Sequence, residues 1–175
     1  MKAPGLVLAL AALLAPEAAA AQQGCITAPE AEVMTLVAMP DILRETGRVC
    51  GARLPAGSLI RGNSALIAKY ESAADQAWPA ARAAIVKLSD PAIDTLLQSD
   101  YARPLLTSLL VPFIVGRIGL EDCGTIDRLV TQLAPLPPRN MASVVVTALQ
   151  YLKSEKARGR QVAVPDLPLC PNGNR

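Results

Sequence analysis

Residues 57–64, GSLIRGNS, carry the glycine spacing of a phosphate-binding loop, but Asn63 stands where that loop needs a lysine. The lysine contacts the β- and γ-phosphates of a nucleotide, so its replacement removes the chemistry of the motif. The strand that should precede such a loop has no signal in this sequence. We therefore interpret the segment as a loop that ends in an Asn or Ser helix cap.

Side chains that could catalyse a reaction lack the partners that such chemistry needs. The chain contains no histidine, the usual base for a serine or cysteine nucleophile, and no serine stands three residues before a lysine. Two acidic clusters could supply a carboxylate pair or calcium ligands: Glu121, Asp122 and Asp127, and Asp90, Asp94 and Asp100. Because acidic residues at helix starts satisfy free N–H groups, we assign both clusters to helix capping. The sequence predicts no enzyme, no cofactor and no metal site.

Four cysteines, Cys25, Cys50, Cys123 and Cys170, are an even number without the closely spaced pairs of metal or redox sites. We expect two structural disulfides. Of the three possible connectivities, two helical hairpins would favour Cys25 with Cys50 and Cys123 with Cys170. A lipid anchor on Cys25 is a less favoured alternative, because Gln22, Gln23 and Gly24 do not form the motif before it.

Aromatic and basic residues give weak indications of a ligand. Trp78 lies beside Pro79, where we expect it to fill the core at a helix kink. Four arginines, Arg44, Arg48, Arg53 and Arg61, could form an anion-binding face, although Asp41 and Glu45 interrupt the group and favour solvated surfaces. The formal net charge is +2 and aromatic residues make up 3% of the chain, so nucleic acid is not an expected partner.

The N-terminus has the order of a secretory signal. Lys2 precedes the apolar run 6–14, which is followed by Pro16 and a stretch of alanines. We predict a signal peptide over residues 1–21 and one mature domain over 22–175, located in the periplasm or secreted. The apolar run is too short for a membrane span, and we expect no span in the mature chain.

Helical spacing of apolar residues dominates the mature chain. The patterns predict helices over 28–39 and 41–49, separated at Pro40, and a helix of about 25 residues from Asn63 with a kink or break at Pro79. Shorter helices follow over 91–97 and 104–116, and two more flank the prolines at 135–138. The predicted fold is an all-α, single-domain bundle of six or seven helices with two disulfides.

These elements suggest how the domain is arranged and what it does. The uncharged segment 104–116 is predicted to be a buried central helix, the last two helices a hairpin, and the tail after Gly159 an extended surface segment. We expect a non-enzymatic interaction or structural module with a protein partner in the cell envelope. The alternative is a carrier of an apolar ligand or lipid, with 104–116 and 144–152 lining a cavity.

Overall fold

Seven α-helices and no strand make up the part of the chain that the computed structural model describes, residues 24–62, 64–90 and 92–170. They are α1 (Ala28–Cys50), α2 (Leu59–Gly62), α3 (Ser64–Leu88), α4 (Ile93–Leu97), α5 (Ala102–Val115), α6 (Cys123–Leu133) and α7 (Pro138–Ala157). The all-α prediction is confirmed. The expected signal peptide, residues 1–21, and its cleavage point lie outside the described residues.

Helix α1 begins at the predicted capping box. The Thr27 hydroxyl accepts a hydrogen bond from the Glu30 N–H at 3.5 Å, and the Glu30 carboxylate accepts one from the Thr27 N–H at 2.8 Å. The helix then continues through Pro40, so the prediction of two helices is wrong. An interior proline costs about 3 kcal/mol, and Pro40 is almost completely buried, which indicates that packing offsets the cost.

Helix α3 packs against α1, and this pair forms the centre of the fold. It too continues through a proline, Pro79, where we expected a kink or a break. One cluster between the two helices joins Leu36 and Val37 to Ala77 and Ala81. Small side chains on α3 therefore let the two long helices approach each other closely.

Helix α5 packs mainly against α1 and also contacts α4, and the prediction that it is a buried central helix is wrong. Ala102, Val111 and Val115 are buried against the core. Leu105 and Leu109 are 51% and 70% exposed. Because α1 and α3 already occupy the centre, α5 lies at the edge and leaves one apolar side uncovered.

The last two helices do not form the predicted hairpin. Helix α7 packs on α1, whereas α6 packs on the short helix α2. After Gly159, whose φ of +83° suits glycine, the chain contains no helix. It runs to the N-terminal end of α1. There Leu169 and Ile26 form a parallel bridge, which agrees with the predicted extended tail.

All four cysteines form disulfides, but the predicted pairing is wrong. The bonds join Cys25 to Cys170 and Cys50 to Cys123, so one loop is nested inside the other. The reason is the continuous α1: a helix of 23 residues is about 34 Å long and holds Cys25 and Cys50 at opposite ends. The disulfide at Cys25 also argues against a lipid anchor there. Two disulfides are typical of a protein that matures in an oxidising compartment.

Candidate functional site

An apolar groove of about 470 Å³ runs between α1, α3 and α5. Its lining residues are almost all aliphatic or aromatic: Met34, Val37 and Ala38 from α1; Trp78, Ala81, Ile85 and Leu88 from α3, with Ser89 after it; and Leu106, Thr107, Leu109 and Leu110 from α5. We call this surface the apolar groove. It lies where α5, at the edge of the fold, runs beside the two central helices.

The sequence of each helix explains why the groove stays open. Ala38 and Ala81 form part of its lining, and their short side chains leave space that larger residues would fill. On α5, Thr107 and Val111 hold the helix against the core, while Leu109 and Leu110 stay 70% and 39% exposed at the rim. The groove is thus built from packing that leaves large apolar side chains in contact with water.

A second, polar cleft of about 810 Å³ lies beside the groove, between α1, α3 and the segment from α4 to α5. We call it the polar cleft. Three arginines line it, and each forms an ion pair: Arg44 with Asp41 at 2.7 Å, Arg82 with Asp94 at 3.4 Å, and Arg103 with Asp75. Three carboxylates, Asp41, Glu45 and Asp100, line it as well.

Trp78 and Thr107 line both the apolar groove and the polar cleft. As expected, Trp78 packs against a core cluster, that of Leu36 and Ala77, but it is only half-buried and also lines both cavities. The groove and the cleft therefore adjoin at this side chain and at Thr107. The two cavities together form an amphipathic site, which is our candidate functional site.

One carboxylate of the polar cleft has a shifted pKa. The Arg48 guanidinium donates hydrogen bonds to Glu45, which lowers the pKa of Glu45 below the usual value for glutamate. The Glu45 carboxylate is therefore ion-paired with Arg48 on the same helix.

The loop at 57–64 has a structural role in this fold. The buried Ser58 donates a hydrogen bond of 2.5 Å to the Asp127 carboxylate, which joins the start of α2 to α6. Arg61 donates to the Leu54 carbonyl. Asn63 lies outside the described residues. The described part of the loop thus holds α2 in place.

The carboxylates of the two acidic clusters bond to different neighbours in the structure. In the first, Asp127 bonds Ser58 and Asp122 accepts from the Gly119 N–H at 3.3 Å. In the second, Asp90 accepts from the Ala92 N–H. Only the Asp90 contact is of the helix-capping kind that was predicted; Asp122 precedes α6 without capping it, and Asp127 lies inside α6 and joins it to Ser58. No group of three or more metal-ligating side chains occurs among residues 24–62, 64–90 and 92–170.

The anion-binding arginine face, the less favoured alternative for these four residues, is not formed as one surface. Arg48 pairs with Glu45, Arg61 bonds a carbonyl, and only Arg44 of the four lines the polar cleft. The residues that join it, Arg82 and Arg103, come from α3 and α5 and were not singled out in the sequence. The i, i+4 spacing of Trp78 and Arg82 on one helix was a signal for part of this site.

The two segments proposed to line a cavity have different positions. Segment 104–116, most of which belongs to α5, lines the apolar groove as the carrier hypothesis required. The 144–152 stripe does not line the groove: Val145 packs against the core cluster that contains Tyr70, and Val144 is 46% exposed. Within the described part of the chain, no helix is long and apolar enough to cross a membrane.

Comparisons with protein families, with curated proteins and with solved structures give no match for the chain. The functional argument therefore depends on the site alone.

Proposed function

We propose that this protein is an exported, non-enzymatic helical domain that binds the apolar part of a small molecule in the apolar groove. The observation that carries the proposal is the groove itself, about 470 Å³ in volume and lined by apolar side chains except for Ser89 and Thr107. Sites for small molecules are typically concave and mostly apolar, with volumes of roughly 300 to 1,000 Å³. The groove fits this description.

The exposed leucines of α5 support the same function. Leu109 is 70% exposed and Leu110 is 39% exposed, although both lie on the groove. Burying apolar surface contributes roughly 25 cal/mol for each Å² removed from water. An apolar chain in the groove would cover these side chains and gain that free energy.

Export of the domain is part of the proposal. The N-terminal pattern of Lys2, the apolar run 6–14 and the alanines before Gln22 is typical of a secretory signal. The two disulfides agree with an oxidising destination such as the periplasm or the outside of the cell.

Trp78 gives a direct test, because it is the only tryptophan of the chain and lines the groove. We would titrate the mature protein with a neutral monoacylglycerol that carries a dibrominated acyl chain, since bromine quenches tryptophan fluorescence on contact. We expect saturable quenching. Leu109→Asp places a charge on the groove and should weaken binding at least tenfold, because an unpaired carboxylate disfavours apolar contact.

Leu129→Asp is the matched control, since Leu129 is 50% exposed on α6 and does not line the groove. It should bind like the unmodified protein, and thermal melts should show both variants folded. Quenching that does not saturate, or equal affinity in the two variants, would rule out binding in the groove.

A protein partner is a second candidate, favoured by Leu105. This residue is 51% exposed on α5, one turn from Leu109. Two exposed leucines at this spacing suit a partner helix, which would also occupy the groove. Leu105→Asp then weakens capture of the partner as much as Leu109→Asp, whereas a small molecule confined to the groove depends on Leu109 alone.

A further inference from the structure

The polar cleft indicates which kind of molecule the apolar groove receives, so the following inference rests on the proposed function. The cleft adjoins the groove at Trp78 and Thr107. An apolar chain in the groove would therefore carry its polar end into the cleft. The charges that line the cleft then decide which polar head group fits.

The lining charges of the cleft balance. Its basic members are Arg44, Arg82 and Arg103, and its acidic members are Asp41, Glu45 and Asp100. A purely anionic head group, such as a fatty-acid carboxylate, would meet as many negative charges as positive ones. The balance favours a ligand that carries both signs.

Most of these charges are already engaged by neighbours. Arg44 pairs with Asp41 and with Glu71, and Arg103 pairs with Asp75. As noted above, Arg48 engages Glu45. These groups gain little from a ligand, because a new partner would have to displace an existing one.

Arg82 and Asp100 differ from the rest of the lining. Arg82 pairs with Asp94 through Nε at 3.4 Å, the longest of the ion pairs that the arginines of the cleft form, and its guanidinium donates no hydrogen bond within the described part of the chain. The exposed Asp100 carboxylate forms no ion pair with residues 24–62, 64–90 or 92–170. The cleft therefore offers one guanidinium and one carboxylate to a ligand.

We propose that the ligand is a single-chain zwitterionic phospholipid, with its acyl chain in the apolar groove and its head group in the polar cleft. The terminal nitrogens of Arg82 donate to the phosphate, since guanidinium matches phosphate with two parallel hydrogen bonds. The Asp100 carboxylate accepts from the ammonium group. Arg82 lies one turn after Trp78 on α3, so the phosphate sits where the chain leaves the groove.

Three amphiphiles with the same dibrominated acyl chain test this assignment through quenching of Trp78. Their head groups are glycerol, carboxylate and glycerophosphoethanolamine, and each is used below its micelle concentration. We expect the phosphoethanolamine compound to bind about tenfold more tightly than the glycerol compound. We expect the carboxylate compound to show no such gain.

Arg82→Gln and Asp100→Asn should each bring the phosphoethanolamine compound to the affinity of the glycerol compound and leave the glycerol compound unchanged. Arg128→Gln and Asp166→Asn, both at exposed positions outside the cleft, are the controls and should change neither affinity. In 1 M salt the advantage of the phosphoethanolamine head should shrink, because screening weakens exposed charge pairs.

Different results separate this inference from the proposed function. If the glycerol compound binds and the phosphoethanolamine compound binds no better, the head-group assignment is wrong and the groove proposal stands. A carboxylate compound that binds as well as or better than the zwitterion also overturns the assignment. If none of the three quenches Trp78, the proposed function itself fails.

Discussion

Replacing Tyr70 with phenylalanine is predicted to stabilise the protein, which is the reverse of most core substitutions. Tyr70 is 1% exposed and packs in a cluster with Met39, Leu43 and Leu66. Its hydroxyl is buried and has no hydrogen-bond partner among the residues that the structure describes. The folded state therefore bears the cost of removing that hydroxyl from water without a bond in return.

The expected gain follows from the atoms that change. A buried polar group without a partner costs about 1 to 3 kcal/mol, and Tyr70→Phe removes it while the ring keeps its contacts. The lost oxygen leaves a small void, which offsets part of the gain. We predict a net stabilisation of about 1 kcal/mol, equivalent to a rise in Tm of about 2 to 4 °C for a domain of this size.

Burial also raises the pKa of the Tyr70 hydroxyl above the ordinary value of 10.0. Below that pH the group is protonated in both folded and unfolded chains, so its ionisation contributes nothing to pH dependence. Between pH 10.0 and the higher pKa of the folded state, only the unfolded chain loses the proton, so stability falls over that range. The advantage of Tyr70→Phe should therefore be larger at pH 10.5 than at pH 8.

Urea unfolding of the mature, disulfide-bonded protein, followed by far-UV circular dichroism, measures these differences. Tyr151→Phe is the matched control, because Tyr151 is 61% exposed and its hydroxyl change should alter stability by less than about 0.5 kcal/mol. If Tyr70→Phe lowers the free energy of unfolding by 1 kcal/mol or more, the hydroxyl has a hydrogen bond and the reasoning is refuted.

Two further predictions concern helix packing and helix capping. A Cβ at Gly47 would lie 2.0 Å from the Ile60 carbonyl oxygen, so Gly47→Ala should destabilise the fold by about 3 kcal/mol in urea unfolding. Gly124→Ala, where an added Cβ meets nothing within 4 Å, should be neutral or stabilising, and equal losses in both would contradict the close approach. The pKa of Glu30 is lowered below 4.5, first by the hydrogen bond from the Thr27 backbone and then by the one from Lys87. The stability that these bonds give the fold is therefore present above pH 4.5 and is lost as the pH falls through the folded pKa. Glu30→Ala should cost about 1 kcal/mol at pH 7 and much less at pH 3; an equal loss at both would contradict the assignment.

Local sequence patterns were sufficient for the fold class and for several helix ends. The apolar spacing along α3 and the capping box at Thr27 and Glu30 act between residues three or four positions apart. Such contacts form within one helix, whatever packs around it. The even number of cysteines similarly predicted two disulfides, because it depends on composition alone.

The path of the chain at Pro40 was decided by tertiary packing. The sequence favoured a break there, since proline removes a hydrogen bond from the helix. In the fold, burial of α1 against α3, α5 and α7 offsets this local cost and keeps the helix continuous. The disulfide pairing then follows, because a straight α1 separates Cys25 from Cys50.

The sequence alone predicted only part of the candidate site, segment 104–116 as one of two possible cavity linings. An uncharged segment at 104–116 is compatible with a buried helix and with a groove wall, because both use the same residue types. Only the position of α5 at the edge of the α1 and α3 pair leaves Leu109 exposed and brings Thr107 to Trp78. The periodicity of a helix specifies which residues share a face, while the neighbours of that face depend on contacts between residues far apart in the chain.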